Sequence, residues 1–92
     1  MNNKQRKTLE ALFAVPIPKS LEWGRIESLF RAIGCTTIER EGSRLSFKYG
    51  EMRDDVWVEF RSDFHRPHPG KEAFPYQIED ARAFLKDIGV LP

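Results

Sequence analysis

Hydrophobic residues recur at helical spacing in three segments of the chain, and each segment predicts an amphipathic helix. The predicted helices cover residues 4–14, 21–33 (beginning at Leu21 or two residues later) and 76–88. Prolines follow the first helix and end it, because proline lacks the backbone N–H that a helix needs. Glycines stand where the second and third helices end, as expected of C-terminal caps.

The hydrophobic period changes to two between the second and third predicted helices, which indicates β-strands. The predicted strands cover residues 35–41, 44–49 and 55–64, with a turn over residues 50–54. The apolar face is predicted to carry Leu45, Phe47, Tyr49, Val56, Val58 and Phe60, and the opposite face Arg44, Ser46, Lys48, Trp57, Glu59 and Arg61. Short turns between the strands favour an antiparallel meander.

The order of elements is helix, helix, three strands and helix, which predicts an α+β domain. The apolar sheet face must be covered, and the helices are the available cover. With 92 residues the chain has room for one domain with a thin core. We divide it into a helix and proline-containing connector at residues 1–19 and a main domain at residues 20–92. The side chains expected to be mostly buried are Leu29, Ile33, Leu45, Phe47, Val58, Phe84 and Leu85.

The net charge of +1 argues against a histone-like nucleic-acid binder, but the charge is unevenly distributed. Residues 1–34 carry six Lys or Arg against three Glu, whereas residues 51–64 carry five acidic residues against two Arg. Cys35 is the only cysteine, so we expect a small buried hydrophobe in a reducing compartment rather than a nucleophile. No apolar run reaches membrane-spanning length and no signal-peptide pattern is present, which predicts a cytoplasmic protein without a membrane partner.

Both histidines, His65 and His68, lie in one short segment that also holds two prolines. Imidazole exchanges protons near neutral pH, and Arg66 and Lys71 add positive charge, so the segment suits a phosphodiester. The alternative interpretation is a rigid, exposed connector between a strand and a helix. Even with Asp63 nearby, the two histidines offer too few ligands for zinc, so we expect no metal and no cofactor.

An ordered set of motifs covers about residues 20–90. The motifs are Trp23-x-x-Ile26-Glu27-x-Leu29, Ile33-Gly34-Cys35, Glu41-Gly42-Ser43-Arg44, Phe64-His65-Arg66-Pro67-His68-Pro69 and Ala83-Phe84-Leu85-x-x-Ile88-Gly89. This set resembles the HicA toxins of bacterial toxin–antitoxin pairs. The resemblance implies a two-layer α-β-β-β-α fold similar to a double-stranded-RNA-binding domain, here with an extra N-terminal helix. It also implies an mRNA-cleaving toxin that arrests translation and is neutralised by a HicB-like antitoxin protein.

The chain departs from the family pattern at Arg44, because the family's usual catalytic histidine follows the Gly-Ser at the start of the second strand. RNA cleavage without a metal needs a deprotonated 2′-OH, a stabilised phosphate and a protonated 5′-oxygen. Arginine can hold a phosphate but cannot act as a base. The catalytic candidates are therefore His65 and His68, and the RNA-binding candidates are Arg44, Ser46, Lys48, Arg66 and Lys71.

Three functional interpretations follow from these candidates. The first is a HicA-like endoribonuclease, and the second is an RNA-binding or regulatory module of a toxin–antitoxin complex without its own chemistry. The third is a small interaction domain stabilised by a partner protein. The side chain of Trp57 has two interpretations as well, either a platform for a base or an ordinary half-buried aromatic of a sheet.

Overall fold

The computed structural model describes residues 1–92 and contains three helices and one sheet. The elements are α1 (Asn3–Leu12), α2 (Trp23–Ala32), β1 (Thr36–Glu39), β2 (Arg44–Arg53), β3 (Val56–His65) and α3 (Pro75–Asp87). The strands are antiparallel throughout and lie in the order β1-β2-β3. The predicted α+β class and the three-stranded antiparallel sheet are confirmed.

The helix boundaries follow from local capping. α1 begins with a capping box, in which the Asn2 side chain accepts from the backbone N–H of Gln5 at 2.8 Å and Gln5 Oε1 accepts from the Asn2 N–H at 2.9 Å. α3 begins at Pro75, where the missing N–H costs no intrahelical hydrogen bond. α2 is followed by Gly34 at φ +101°, a conformation that favours glycine.

The β2–β3 hairpin is longer than the sequence pattern indicates. β2 continues to Arg53, and the connection is the two-residue turn Asp54-Asp55, with φ +48° and +65°. The predicted turn over residues 50–54 is therefore wrong. Two-residue hairpin turns with positive φ at both positions match the twist of the strands, and aspartate tolerates that conformation better than most residues.

The core lies between the helices and one face of the sheet. Phe47 is fully buried and contacts Phe30 edge-on at a centroid distance of 4.8 Å, with Phe64 at 5.9 Å. Five of the seven side chains predicted to be mostly buried are buried: Leu29, Leu45, Phe47, Phe84 and Leu85. The other two, Ile33 and Val58, are only partly buried. Val58 lies towards the hairpin tip, where the core ends, and Ile33 lies at the end of α2.

Cys35 lies at the junction of α2 and β1 and is buried, as predicted. Burial raises the pKa of its thiol to about 11. The thiol is therefore protonated at neutral pH and is a poor nucleophile.

Candidate nucleic-acid interface on the open sheet face

The sheet face that points away from the helices is not covered by any element of the chain. We call it the open face, and it consists of Thr36, Ile38, Arg40, Arg44, Ser46, Lys48, Gly50, Met52, Trp57, Glu59, Arg61, Asp63 and His65. It carries four Arg or Lys side chains against two carboxylates. This surplus of positive charge favours an anionic ligand.

Arg44 and His65 are direct cross-strand partners at one end of the open face. Both residues are exposed. Together with Arg40, Arg61 and Asp63 they line a surface cavity of about 230 Å³, which we call the arginine cavity. That volume is smaller than the usual pocket for a drug-sized molecule and suits one phosphate group with part of its sugar.

A hydrogen-bonded layer forms the floor of the arginine cavity. Ser46 Oγ donates to Asp63 Oδ1 at 2.5 Å and accepts from Arg40 Nε at 2.8 Å, and Arg61 Nε donates to the same Asp63 oxygen at 3.0 Å. The hydrogen bond from Ser46, followed by that from Arg61, lowers the pKa of Asp63. Asp63 is therefore charged at neutral pH, and its charge is balanced by the arginines beside it.

The three guanidinium groups of the cavity keep donors available for a ligand. Arg40 and Arg61 each use only Nε in hydrogen bonds, and the Arg44 side chain has no hydrogen-bonding or ion-pair partner within the chain. Guanidinium groups bind phosphate oxygens in a bidentate, charge-assisted manner. The cavity can therefore hold a phosphate through Arg44 while the imidazole of His65 lies on the neighbouring strand.

Ser46 differs in exposure from the sequence prediction. It lies on the predicted face, but it is fully buried because the side chains of Arg40 and Asp63 cover it. Its role in this structure is to orient those two side chains. Lys48 lies further along the open face and forms an ion pair with Glu59 at 3.1 Å.

The other predicted site residues lie away from the arginine cavity. His68 and Lys71 are exposed in the loop between β3 and α3, and neither lines the cavity. The loop is hydrogen-bonded to the chain around the start of α2, because Trp23 N donates to Lys71 O at 2.9 Å and Ala73 N donates to Leu21 O at 2.8 Å. The structure thus brings together Arg44, Ser46 and His65 and separates them from the rest of the predicted set.

Arg66 points to the helical side of the sheet, where it binds two carboxylates. Its guanidinium donates to Glu27 at 2.8 and 3.2 Å and to Glu39 at 2.8 Å twice, and we call these three residues the Arg66 clamp. The hydrogen bond from Arg66 lowers the pKa of Glu39, and the two carboxylates raise the pKa of Arg66. Glu27 also accepts a hydrogen bond from Trp23 Nε1.

The backbone on both sides of this position is fixed as well. Arg66 N donates to Ser43 O at 2.8 Å, and Gln77 Nε2 donates to His65 O at 2.5 Å. The end of β3 is therefore fastened to the start of β2 and to α3. These contacts hold the His65 side chain next to Arg44.

Sequence reasoning did not select Arg40, Arg61 and Asp63 as site residues. The signal was present, because alternation from Arg44 and from His65 places Arg61 and Asp63 on the same face. Arg40 follows β1 directly, and its place on the open face requires the β1–β2 register, which sequence alone does not give.

No family model, curated protein or solved structure matches this chain. The side chains of His, Cys, Asp and Glu form no group of three or more that could hold a metal ion. None of the three helices has the length and apolar character that crossing a membrane requires.

Proposed function

We propose that this chain is a HicA-like toxin that binds mRNA on its open face and cleaves it next to His65. The observation that carries the proposal is the pairing of Arg44 with His65 across β2 and β3, in a cavity that Arg40 and Arg61 also line. The resemblance of the ordered motifs to the HicA toxins supports the same function. So does the antiparallel three-stranded sheet, which is compatible with a fold similar to a double-stranded-RNA-binding domain.

The proposed reaction uses the cavity residues in two roles. Arg44, with Arg40 and Arg61, holds the scissile phosphate and stabilises the negative charge that develops on it. His65 removes the proton from the 2′-OH, the 2′-oxygen attacks phosphorus, and the bond to the 5′-oxygen breaks. The leaving 5′-oxygen takes a proton from water, and the hydroxide that remains is neutralised by the proton held on His65, which restores the free imidazole. The products are a 2′,3′-cyclic phosphate and a free 5′-hydroxyl, and no metal or cofactor takes part.

The second candidate is an RNA-binding module of a toxin–antitoxin complex that does not cleave. One observation favours it, namely that the cavity contains a single imidazole and has Arg44 at the position of the family's usual catalytic histidine. Arginine cannot perform the proton transfer of that histidine. In this case the same surface binds the phosphate backbone, and the biological effect comes through the antitoxin partner.

Cleavage of a long single-stranded RNA in the presence of a chelator separates the two candidates. Under the first proposal wild-type protein cleaves, and His65→Ala lowers the rate by about 10²–10⁴-fold, the usual contribution of a general acid–base group. His68→Ala is the matched control, because it removes the other imidazole of the chain, which lies outside the cavity. We expect the cleavage rate of this variant to equal that of wild type. Equal rates for wild type and His65→Ala would refute the role of His65.

The variant Arg44→His tests the second candidate directly. It introduces an imidazole opposite His65, at the position of the family histidine. A wild-type protein that binds RNA without cleaving it, together with an Arg44→His variant that cleaves, would identify wild type as the binding module. Induction of the chain in a bacterium, with and without a HicB-like partner, tests the toxin assignment through growth arrest and its reversal.

A further inference from the structure

Trp57 occupies the end of the open face opposite to the arginine cavity and has an unusual support. Its indole lies against the backbone of Gly50 on β2, so closely that a Cβ at Gly50 would overlap the ring atoms Cζ2, Cε2 and Cη2. The residue is nevertheless 58% exposed. The ring therefore packs directly on the backbone of Gly50, and its remaining surface is available to a planar partner.

Charge and spacing indicate which partner this is. Trp57 pairs with Met52, but its ring lies over Gly50, six positions along β2 from Arg44, which corresponds to about 20 Å at about 3.4 Å per residue. The two carboxylates between these ends are each paired with a basic side chain, Glu59 with Lys48 and Asp63 with Arg61. An aromatic platform at one end and guanidinium groups with free donors at the other are the two components of a single-stranded nucleic-acid site.

We infer that the open face binds a short single-stranded RNA segment, with phosphates in the arginine cavity and one base stacked on Trp57. This inference rests on the proposed function and adds the form of the RNA and a residue that contacts one of its bases. The span suits roughly four to eight nucleotides, near the lower end of known single-stranded sites. Beyond Trp57 the turn Asp54-Asp55 carries two negative charges, which repel the RNA backbone and end the site.

An RNA duplex cannot place a base on Trp57 in this way. Its bases are stacked on one another and present only their edges, whereas a single strand exposes the faces of its bases to an aromatic ring. The competing explanation is that Trp57 only covers the backbone of a glycine within a strand. That explanation predicts a contribution of Trp57 to stability and none to RNA binding.

Intrinsic fluorescence gives a direct test, because the only other tryptophan, Trp23, is buried at 4% exposure. Titration of wild-type protein with oligouridylates of increasing length should quench the exposed indole, with affinity rising to a plateau within roughly eight nucleotides. A blunt twelve-base-pair RNA duplex should bind more weakly and quench little. Tighter binding of the duplex, or single-strand binding without quenching, would overturn the inference.

Substitutions assign the effect to Trp57, with binding measured on labelled oligouridylate. Trp57→Ala should weaken binding by about 5- to 150-fold, the usual range for loss of one base–aromatic stack, and Trp57→Phe should keep most of the affinity. Tyr76→Ala removes an aromatic of similar exposure, 54%, from α3 and should leave the affinity unchanged. Gly50→Ala displaces the indole from its position over Gly50 and should weaken binding, although the indole itself is unchanged.

The outcomes distinguish this inference from the proposed function. Wild-type protein that binds no RNA contradicts both. Binding that depends on Arg44 but is unchanged in Trp57→Ala contradicts only the stacking role of Trp57. Circular dichroism shows whether each variant is folded, and if Trp57→Ala does not fold, the length dependence and quenching of wild type still decide the question.

Discussion

Replacement of Arg66 by alanine should destabilise the fold far more than it weakens RNA binding. The Arg66 clamp joins three segments, since its carboxylates come from α2 and β1 and Arg66 itself follows β3. The Glu27 side chain is 11% exposed and that of Arg66 34% exposed, whereas the Glu39 side chain is 63% exposed. The energetic effect therefore comes mainly from the pair Arg66–Glu27.

The expected magnitude follows from the fate of Glu27. Removing one partner of a buried ion pair costs about 3–5 kcal/mol, because the other charge stays buried without compensation. Here Arg66 is one-third exposed and Glu27 keeps its hydrogen bond from Trp23, so we expect about 2–3 kcal/mol. For a domain of this size that loss lowers the melting temperature by roughly 10–20 °C.

Urea unfolding, followed by far-UV circular dichroism, measures this free energy. Arg31→Ala is the matched control, because Arg31 pairs with the same carboxylate at 3.5 Å but is 57% exposed. An exposed pair of this kind contributes about 0–1 kcal/mol. When Glu27→Gln is added to Arg66→Ala, the double variant should recover part of the stability that Arg66→Ala loses, because the uncompensated charge of Glu27 is removed. A loss for Arg66→Ala no larger than that for Arg31→Ala would refute the assignment.

Three further predictions concern pH, thiol reactivity and salt. Arg66 lowers the pKa of Glu39, and Ser46 with Arg61 lowers that of Asp63. The two carboxylates therefore contribute to stability above their unfolded-state pKa values, near 4.5 and 3.8, and this contribution is lost as the pH falls through their lower folded-state values. The urea midpoint should fall on acidification, and it should fall less in Glu39→Gln. With its pKa raised to about 11, Cys35 should react with a disulfide reagent at pH 8 far more slowly than in urea, and its contribution to stability should be lost as pH rises from 9 through 11. RNA affinity should fall steeply with added salt and fall less steeply in Arg44→Ala, and an affinity independent of salt would contradict phosphate binding.

Local periodicity was sufficient to predict the order of the elements and the apolar face of β2. Leu45 and Phe47 alternate with polar residues, and both are fully buried. The hairpin was mispredicted because Gly50 and the pair Asp54-Asp55 lie close together in sequence and all three residues favour turns. Cross-strand pairing decides between those positions, and it is a tertiary property that a local pattern does not contain.

The candidate site was only partly predictable for the same reason. His65 and Arg66 are adjacent in sequence and both carry chemistry suited to phosphate, yet β-strand alternation sends them to opposite sides of the sheet. His65 reaches the open face beside Arg44, and Arg66 reaches two carboxylates on the helical side. A segment of alternating residues at a strand end therefore divides its side chains between the open face and the covered side of the sheet.

This division explains how a small sheet can present an imidazole at a fixed place. The imidazole of His65 is exposed and receives no hydrogen bond from another side chain, so its position depends on the backbone at the end of β3. That backbone is held by Ser43, which directly precedes the strand that carries Arg44, by Gln77 on α3, and by the neighbouring Arg66, whose guanidinium is bound by two carboxylates. The groups that fix the site therefore lie on the covered side of the sheet, and the open face keeps its donors for the ligand. Preorganisation of this kind places the cost of ordering in the fold rather than in the binding step.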